Sequence, residues 1–154
     1  MKKLLLFAAL FAGSFAAQAQ EKKADDVIKM NKEKISFGKI KQNVPVTTFF
    51  EITNISDKPI VIENAWAGCG CTTPEVPKEP IAPKATVKMK VGYNAAALNG
   101  FEKEVNVKIA GINEPKVVKI VGEVLDEASY AAYVKSGKKG DGGKAKTVKK
   151  TGAK

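Results

Sequence analysis

The chain has 154 residues and a formal net charge of +10, from 26 lysines and no arginine against 16 acids, and it contains no histidine. Without histidine, a Ser-His-Asp or Cys-His catalytic arrangement is excluded, and so is any imidazole metal site. With 44% hydrophobic residues the chain has enough apolar surface for one modest core, and its two cysteines limit cysteine chemistry to one place.

Lys2 and Lys3 open the chain, and an apolar run from Leu4 to Phe15 follows, broken by Gly13 and Ser14. Ala17-Gln18-Ala19 then supplies the small-x-small pattern of a signal-peptide cleavage site. The run is short for a bilayer core of about 30 Å, which takes about 20 apolar residues. Residues 1–19 therefore read as a signal peptide, cleaved near Ala19-Gln20. A mature chain without a transmembrane segment, periplasmic or secreted, is the expectation. No cysteine near that site suggests a lipid anchor.

Residues 20–34 read as a lead-in. From residue 35 the pattern has period two, the mark of half-buried strands. Ile35 to Ile40 is the first such run. Val46 to Thr53 is the second, with Val46, Phe50 and Ile52 in register, and Ile60 to Ile62 is the third. Asn54-Ile55-Ser56-Asp57-Lys58-Pro59 makes a polar break between them, and its first three residues also match a glycosylation acceptor.

Next comes "WAGCGCTTPEVP", residues 66–77, with the only tryptophan and both cysteines. The segment from Thr72 to Lys84 carries Pro74, Pro77, Pro80 and Pro83. Proline lacks the donor that a central ladder needs, so an extended crossing loop is expected.

Three further runs alternate. Val87, Met89, Val91 and Tyr93 oppose Thr86, Lys88, Lys90 and Gly92; Val105, Val107 and Ile109 oppose Glu104, Asn106 and Lys108; and Val118, Ile120, Gly122 and Val124 share a face. Asn99-Gly100 and Asn113-Glu114-Pro115 supply turn chemistry between them. Residues 126–134, "DEASYAAYV", suit a short closing helix that starts at Asp126, with Tyr130 and Tyr133 packing it onto a sheet edge.

Residues 135–154 carry eight lysines, with Asp141 the one acid and Val148 the one large apolar residue. Such a segment cannot bury enough surface to offset ordering costs of about 1–2 kcal/mol per residue, so a disordered basic tail is expected. Weak contact with anionic lipid suits its charge. The lack of aromatics and arginine argues against nucleic acid as a partner. The stretch 20–134 balances 16 lysines against 15 acids, so the excess charge belongs to the tail.

Short alternating strands with no helices between them imply an all-β, antiparallel sandwich. Residues 35–125 fit one immunoglobulin-like domain of about seven strands, with a small closed barrel as the alternative. Phe37-Gly38-Lys39-Ile40, Asn54 to Ile62, Cys69-Gly70-Cys71-Thr72, Gly100-Phe101-Glu102-Lys103 and Ile120-Val121-Gly122-Glu123-Val124 occur in an order that resembles the exported bacterial family of unknown function DUF1573. The resemblance covers about residues 35–125 and is carried most specifically by Cys-Gly-Cys-Thr. It implies a fold akin to the immunoglobulin-like domains of hydin and the major sperm protein, and no established activity. Gly68 stands where that family usually has serine, and Lys84-Ala85 where it often has a Gly-Glu pair.

For Cys69 and Cys71 three states compete. In an oxidising compartment neighbouring thiols tend to pair. A local disulfide then shapes the loop, with Gly68, Gly70, Trp66 and Thr72 around it. Gly70 would permit the bend, and the small ring would make the bond easily reduced. Two free cysteines packed beside Trp66 are the second state; Trp66 itself is expected to cap the core, the alternative being that it stacks on a sugar or anchors a partner. A copper(I) site on the soft thiolates is the third, whereas closed zinc would need Glu63, Glu75 or a second chain. No bound cofactor is expected. Glu51, Glu63 and Glu75 are candidates for acid/base work, but carboxylates on strand faces are usually solvated surface. The expected function is a non-catalytic, exported binding or scaffolding module whose partner is an envelope protein or glycan. The alternative is a thiol-redox or copper(I)-handling protein.

Overall fold

The computed structural model describes residues 22–137; the expected signal peptide and all but the first three residues of the basic tail lie outside the described residues. A short 3-10 helix, Ala24–Asp26, leads into β1 (Ile28–Met30), β2 (Lys34–Lys41), β3 (Val46–Asn54) and β4 (Ile62–Ala67). The chain continues through β5 (Thr72–Glu75), β6 (Thr86–Tyr93), β7 (Asn99–Ile109) and β8 (Lys116–Leu125), and ends in helix α1 (Glu127–Lys135). The strands form two four-stranded sheets, ordered β1-β3-β6-β5 and β2-β8-β7-β4. This is a β-sandwich, the class that the alternation implies.

The core lies between the sheets. Phe50, Ile52, Met89 and Val91 face Val105, Val107, Ile109, Val118, Ile120 and Val124, all of them essentially sealed from solvent. Each fully buried side chain of this kind contributes about 1.5–3 kcal/mol of transfer free energy, so the two inner faces are the main force holding the sheets together. Outward positions are polar, and many are paired. Glu102 accepts hydrogen bonds from Lys34 at 2.7 Å and Lys119 at 2.9 Å, which hold its carboxyl down at about 2.

Five features differ from the sequence reading, the first being that Asn99-Gly100, read as turn chemistry, opens β7. Among the described residues there are eight strands rather than about seven, because β1 lies within the segment read as a lead-in. Its three residues bury Ile28 and Met30 and expose Lys29, too short an alternation to register. The second sheet is mixed, since β2 runs parallel to β8 while the other pairs are antiparallel. The crossing loop begins as strand β5, which tolerates Pro74 because it is an edge. The third run is displaced: of Ile60 to Ile62 only Ile62 lies in β4, which continues to Ala67, while Ile60 forms an isolated bridge with Ile81.

Three devices lock the sandwich. At one end the Tyr93 and Phe101 rings stack with centroids 4.0 Å apart, and Phe37 joins Phe101 at 6.4 Å. Phe101 stands opposite Gly122 in the ladder. A Cβ there would come within 2.8 Å of that ring and 2.9 Å of the Gly38 carbonyl, so only glycine fits. At the other end Asn54 is fully buried. Its Nδ2 donates to the Lys58 and Ile81 carbonyls at 2.8 and 2.9 Å, and its Oδ1 accepts from the Ser56 N–H and hydroxyl at 2.9 and 2.7 Å. The amide of the matched glycosylation acceptor is therefore enclosed and fully engaged. Third, the nearly buried Lys116 ties β8 to the N-terminal segment through Asp25 and Glu33, both at 2.6 Å. Burial pulls its ammonium down, but the two carboxylate partners win and leave it raised.

Helix α1 is capped by Asp126, whose carboxylate accepts from the Ser129 N–H and hydroxyl, each at 2.8 Å. Ion pairing of Lys41 with Glu127, and the Lys39 ammonium 5.5 Å from the Tyr133 ring centre, hold the helix beside β2. Tyr130 and Tyr133 are half-buried there.

Candidate functional site

The two cysteines occupy the corner where the chain leaves the second sheet at Ala67 and enters the first at Thr72. Strands that switch sheets need such a corner, and a bend concentrates it into few residues. Cys69 and Cys71 lie at disulfide distance and are paired, with their α-carbons 5.2 Å apart. That span falls inside the usual 4.4–6.8 Å for a bridge. The Thr72 N–H donates to the Cys69 carbonyl at 3.3 Å and the Asn94 N–H to the Cys71 carbonyl at 3.0 Å, so the corner is also held by backbone. By the chain-entropy relation a three-residue ring stabilises a fold by about 1.6 kcal/mol, against about 3 kcal/mol for a 15-residue loop. The bridge shapes the corner more than it stabilises the domain.

Cys71 packs against the core, Cys69 is half-buried, and Thr72 is buried between the sulfurs and the first sheet. The Thr72 hydroxyl lies 3.7 Å from Cys71 Sγ and 3.9 Å from Cys69 Sγ. Gly68 and Gly70 are exposed, and a Cβ on either would meet nothing within 4 Å. Neither has a positive φ, so the bend does not depend on glycine at position 70. That corrects the expectation that Gly70 is needed to make the turn: a bend spread over Gly68 to Cys71 keeps every φ in the ordinary range.

Trp66 is placed differently from the core-capping role expected of it. It points away from the core on the outer face of the second sheet, 40% exposed, opposite Asn106 in the ladder. Val117, 39% exposed, continues the same row on β8. A register shift between Ile62 and Asn64 sets this phase: Ile62, Ala65 and Ala67 turn inward, and Asn64 and Trp66 turn out. β4 is also an edge, and among the described residues no strand pairs with its other side. The alanines that face the core carry little hydrophobic signal, which is why the sequence pattern stops at Ile62.

The three carboxylates do not converge. Glu51 and Glu75 lie on the outer face of the first sheet, 4.0 Å from Lys88 and 2.9 Å from Lys90 respectively. Glu63 is exposed in the β4 irregularity. Among the described residues no group of three or more Cys, Asp or Glu side chains is gathered as metal ligands would be, and Cys69 and Cys71 have only each other.

Solved structures share this fold at low identity. A protein of unknown function from Porphyromonas gingivalis superposes with a TM-score of 0.54 and 12% identity, over 63% of this chain and 46% of its own. A PapD-like domain of human CEP192 gives 0.53 and 6%, over 65% and 86%. The Vibrio cholerae protease VesB gives 0.54 and 12%, over 66% of this chain and 33% of the protease. The chain thus spans less than half of the Porphyromonas protein and a third of the protease. At these identities the likeness concerns the fold alone, an immunoglobulin-like sandwich. No curated protein matches the sequence. The family model described as "Protein of unknown function (DUF1573)" matches residues 28–124, from β1 to the penultimate residue of β8. The chain belongs to the DUF1573 family.

Proposed function

We propose that this chain is a non-catalytic binding module of the bacterial cell envelope, and that it captures an extended segment of another exported protein along the open edge of β4. The observation that carries this reading is Trp66, the only tryptophan, 40% exposed on an edge strand whose outer side pairs with no strand among the described residues. An edge offers a row of free N–H and C=O groups, and an adjacent tryptophan adds contact area at low entropic cost. The other three edges are guarded. β1 has three residues, β5 contains Pro74, and β2 is flanked by α1. β4 has six residues, no proline and one charge, Glu63. The envelope location rests on the N-terminal address, and the non-catalytic reading on the lack of histidine and of converging carboxylates.

A photoreactive residue at Glu63 tests this. In intact cells the full-length protein should form an adduct with one exported protein, and Trp66→Ala should remove the adduct without lowering stability. The same probe at Lys88, on the outer face of the first sheet, should form none. Equal adducts at the two positions, or an adduct indifferent to Trp66→Ala, would overturn the reading. An adduct with glycan in place of protein would also refute it.

A further inference from the structure

The binding edge leaves the disulfide corner without a role, and that corner carries its own chemistry. The S–S bond is approachable, since Cys69 stands between two exposed glycines whose absent side chains leave open space. Backbone geometry does not demand those glycines, as neither has a positive φ. The two sulfurs are also unequal. Cys71 packs on the core with its carbonyl pinned by Asn94, whereas Cys69 sits between the open glycines. Finally, the buried Thr72 hydroxyl lies within sulfur hydrogen-bond distance of both, at 3.7 Å from Cys71 Sγ and 3.9 Å from Cys69 Sγ, with Cys71 the nearer. Hydrogen bonds to an ionised acceptor are about twice as strong as neutral ones, so this hydroxyl favours a thiolate at Cys71 over a thiol.

We propose that Cys69–Cys71 is a thiol–disulfide exchange site that oxidises a cysteine pair on another polypeptide, with Cys69 as the attacked sulfur and Cys71 as the leaving one. A thiolate of the partner attacks Cys69 Sγ, and a partner–Cys69 S–S bond forms as the Cys69–Cys71 bond breaks. The electron pair of the broken bond departs on Cys71 Sγ, which accepts the Thr72 hydroxyl hydrogen bond. The partner's second thiolate then attacks its own sulfur in the mixed disulfide and releases Cys69. The partner's two thiols lose two electrons and become a disulfide. Cys69 and Cys71 gain those electrons and take up the two protons that the partner's thiols gave up on ionising. A three-residue ring places little constraint on the unfolded chain, so folding gives the bond little protection against reduction.

Glutathione is the probe. The full-length mature protein is equilibrated at graded ratios of reduced to oxidised glutathione, alkylated and weighed by mass spectrometry, with circular dichroism following the fold. The expected result is reversible conversion between disulfide and dithiol forms with the fold intact. Cys71→Ser should trap glutathione on Cys69, and Cys69→Ser should label Cys71 about tenfold more slowly, because Cys71 packs against the core. Thr72→Val should slow reduction by about tenfold, the rate equivalent of one lost charge-assisted hydrogen bond, and Thr72→Ser should restore the rate. A bond that resists reduction until the fold is lost would overturn the proposal. So would equal labelling of both cysteines, or a Thr72→Ser protein as slow as Thr72→Val. The equilibrium on the unaltered protein needs no substitution, so it decides the matter even where Thr72→Val does not fold. It is also independent of β4: exchange that survives Trp66→Ala separates this site from the binding edge.

Discussion

Asn54→Ala should cost the domain about 3 kcal/mol, from four hydrogen bonds each worth about 0.5–1.5 kcal/mol net. The two Nδ2 bonds, to the carbonyls of Lys58 and Ile81, are the larger share because the amide is fully buried. Neither carbonyl is orphaned: Ile81 O keeps the Ile60 N–H at 3.1 Å, and the Ser56 hydroxyl, released from Asn54, can turn to Lys58 O at 2.9 Å. That retention holds the cost below the about 1–3 kcal/mol penalty of each unsatisfied buried group added on top. The Ser56 pair contributes less, since that side chain can turn to water. Asn54→Asp sharpens the test, because a carboxylate would face two carbonyl oxygens with no proton to give. The fold would favour the neutral acid, raising its pKa above the unfolded value. The Asp variant should therefore be least destabilised below the unfolded carboxyl pKa, near 4, and should lose stability as pH rises through the folded value. Urea melts of wild type and both variants, followed by far-ultraviolet circular dichroism at pH 4 and pH 7, read these quantities. An Asn54→Ala protein within about 0.5 kcal/mol of wild type, the scatter of neutral surface changes, would refute the reasoning.

Gly122→Ala should cost about 1–3 kcal/mol as an overpacked site, measured by chemical denaturation, because the new methyl group meets the Phe101 ring and the Gly38 carbonyl. Glu102 titrates at about 2 rather than the ordinary 4.5, lowered by its hydrogen bonds to Lys34 and Lys119. Its contribution is present above 4.5 and is lost as pH falls toward about 2. Glu102→Gln should flatten the thermal-stability profile across that window and leave it unchanged near neutrality. Val91→Asp should prevent folding by placing an unpaired charge at a fully buried position, as seen by circular dichroism. Lys90→Asp on the same strand should cost at most about 1 kcal/mol, the worth of its surface pair with Glu75.

The strands that read clearly in the sequence are those with one wet face and β-branched residues on the other. In β6, β7 and β8 every second residue from Met89, Val105 and Val118 is apolar and buried, with Gly122 the exception that Phe101 explains. β4 was illegible because its register shift displaces the phase by one residue and its inward positions are alanines. That single miss also hid the site, since the outward aim of Trp66 follows from the shift. The parallel pairing of β2 with β8 leaves no mark on either strand alone, because alternation records which face is buried and not which neighbour is bonded. Asn54 sat in a stretch that reads as turn chemistry, and its burial depends on the Ile81 carbonyl arriving from a distant loop. For the cysteine corner the sequence left a local bridge, free thiols and a copper(I) site open, and it did not show that the corner lies between two sheets.

The position of β8 has a consequence for how this chain comes into being. In the first sheet the last strand to emerge is β6, so that sheet can be complete once residue 93 is available. In the second, β2 has β8 as its only strand neighbour, and the pairs run from Lys34↔Lys119 to Lys41↔Leu125. An early strand must wait for almost the whole domain before it has anything to bond to. Such distant pairing is slow because the loop entropy is lost before the ladder returns it. During synthesis β2 is therefore an unsatisfied edge carrying Ile35, Phe37 and Ile40, open to the wrong partner until β8 arrives. The arrival of β8 gives that exposed segment its ladder partner and leaves β2 as an edge flanked by α1.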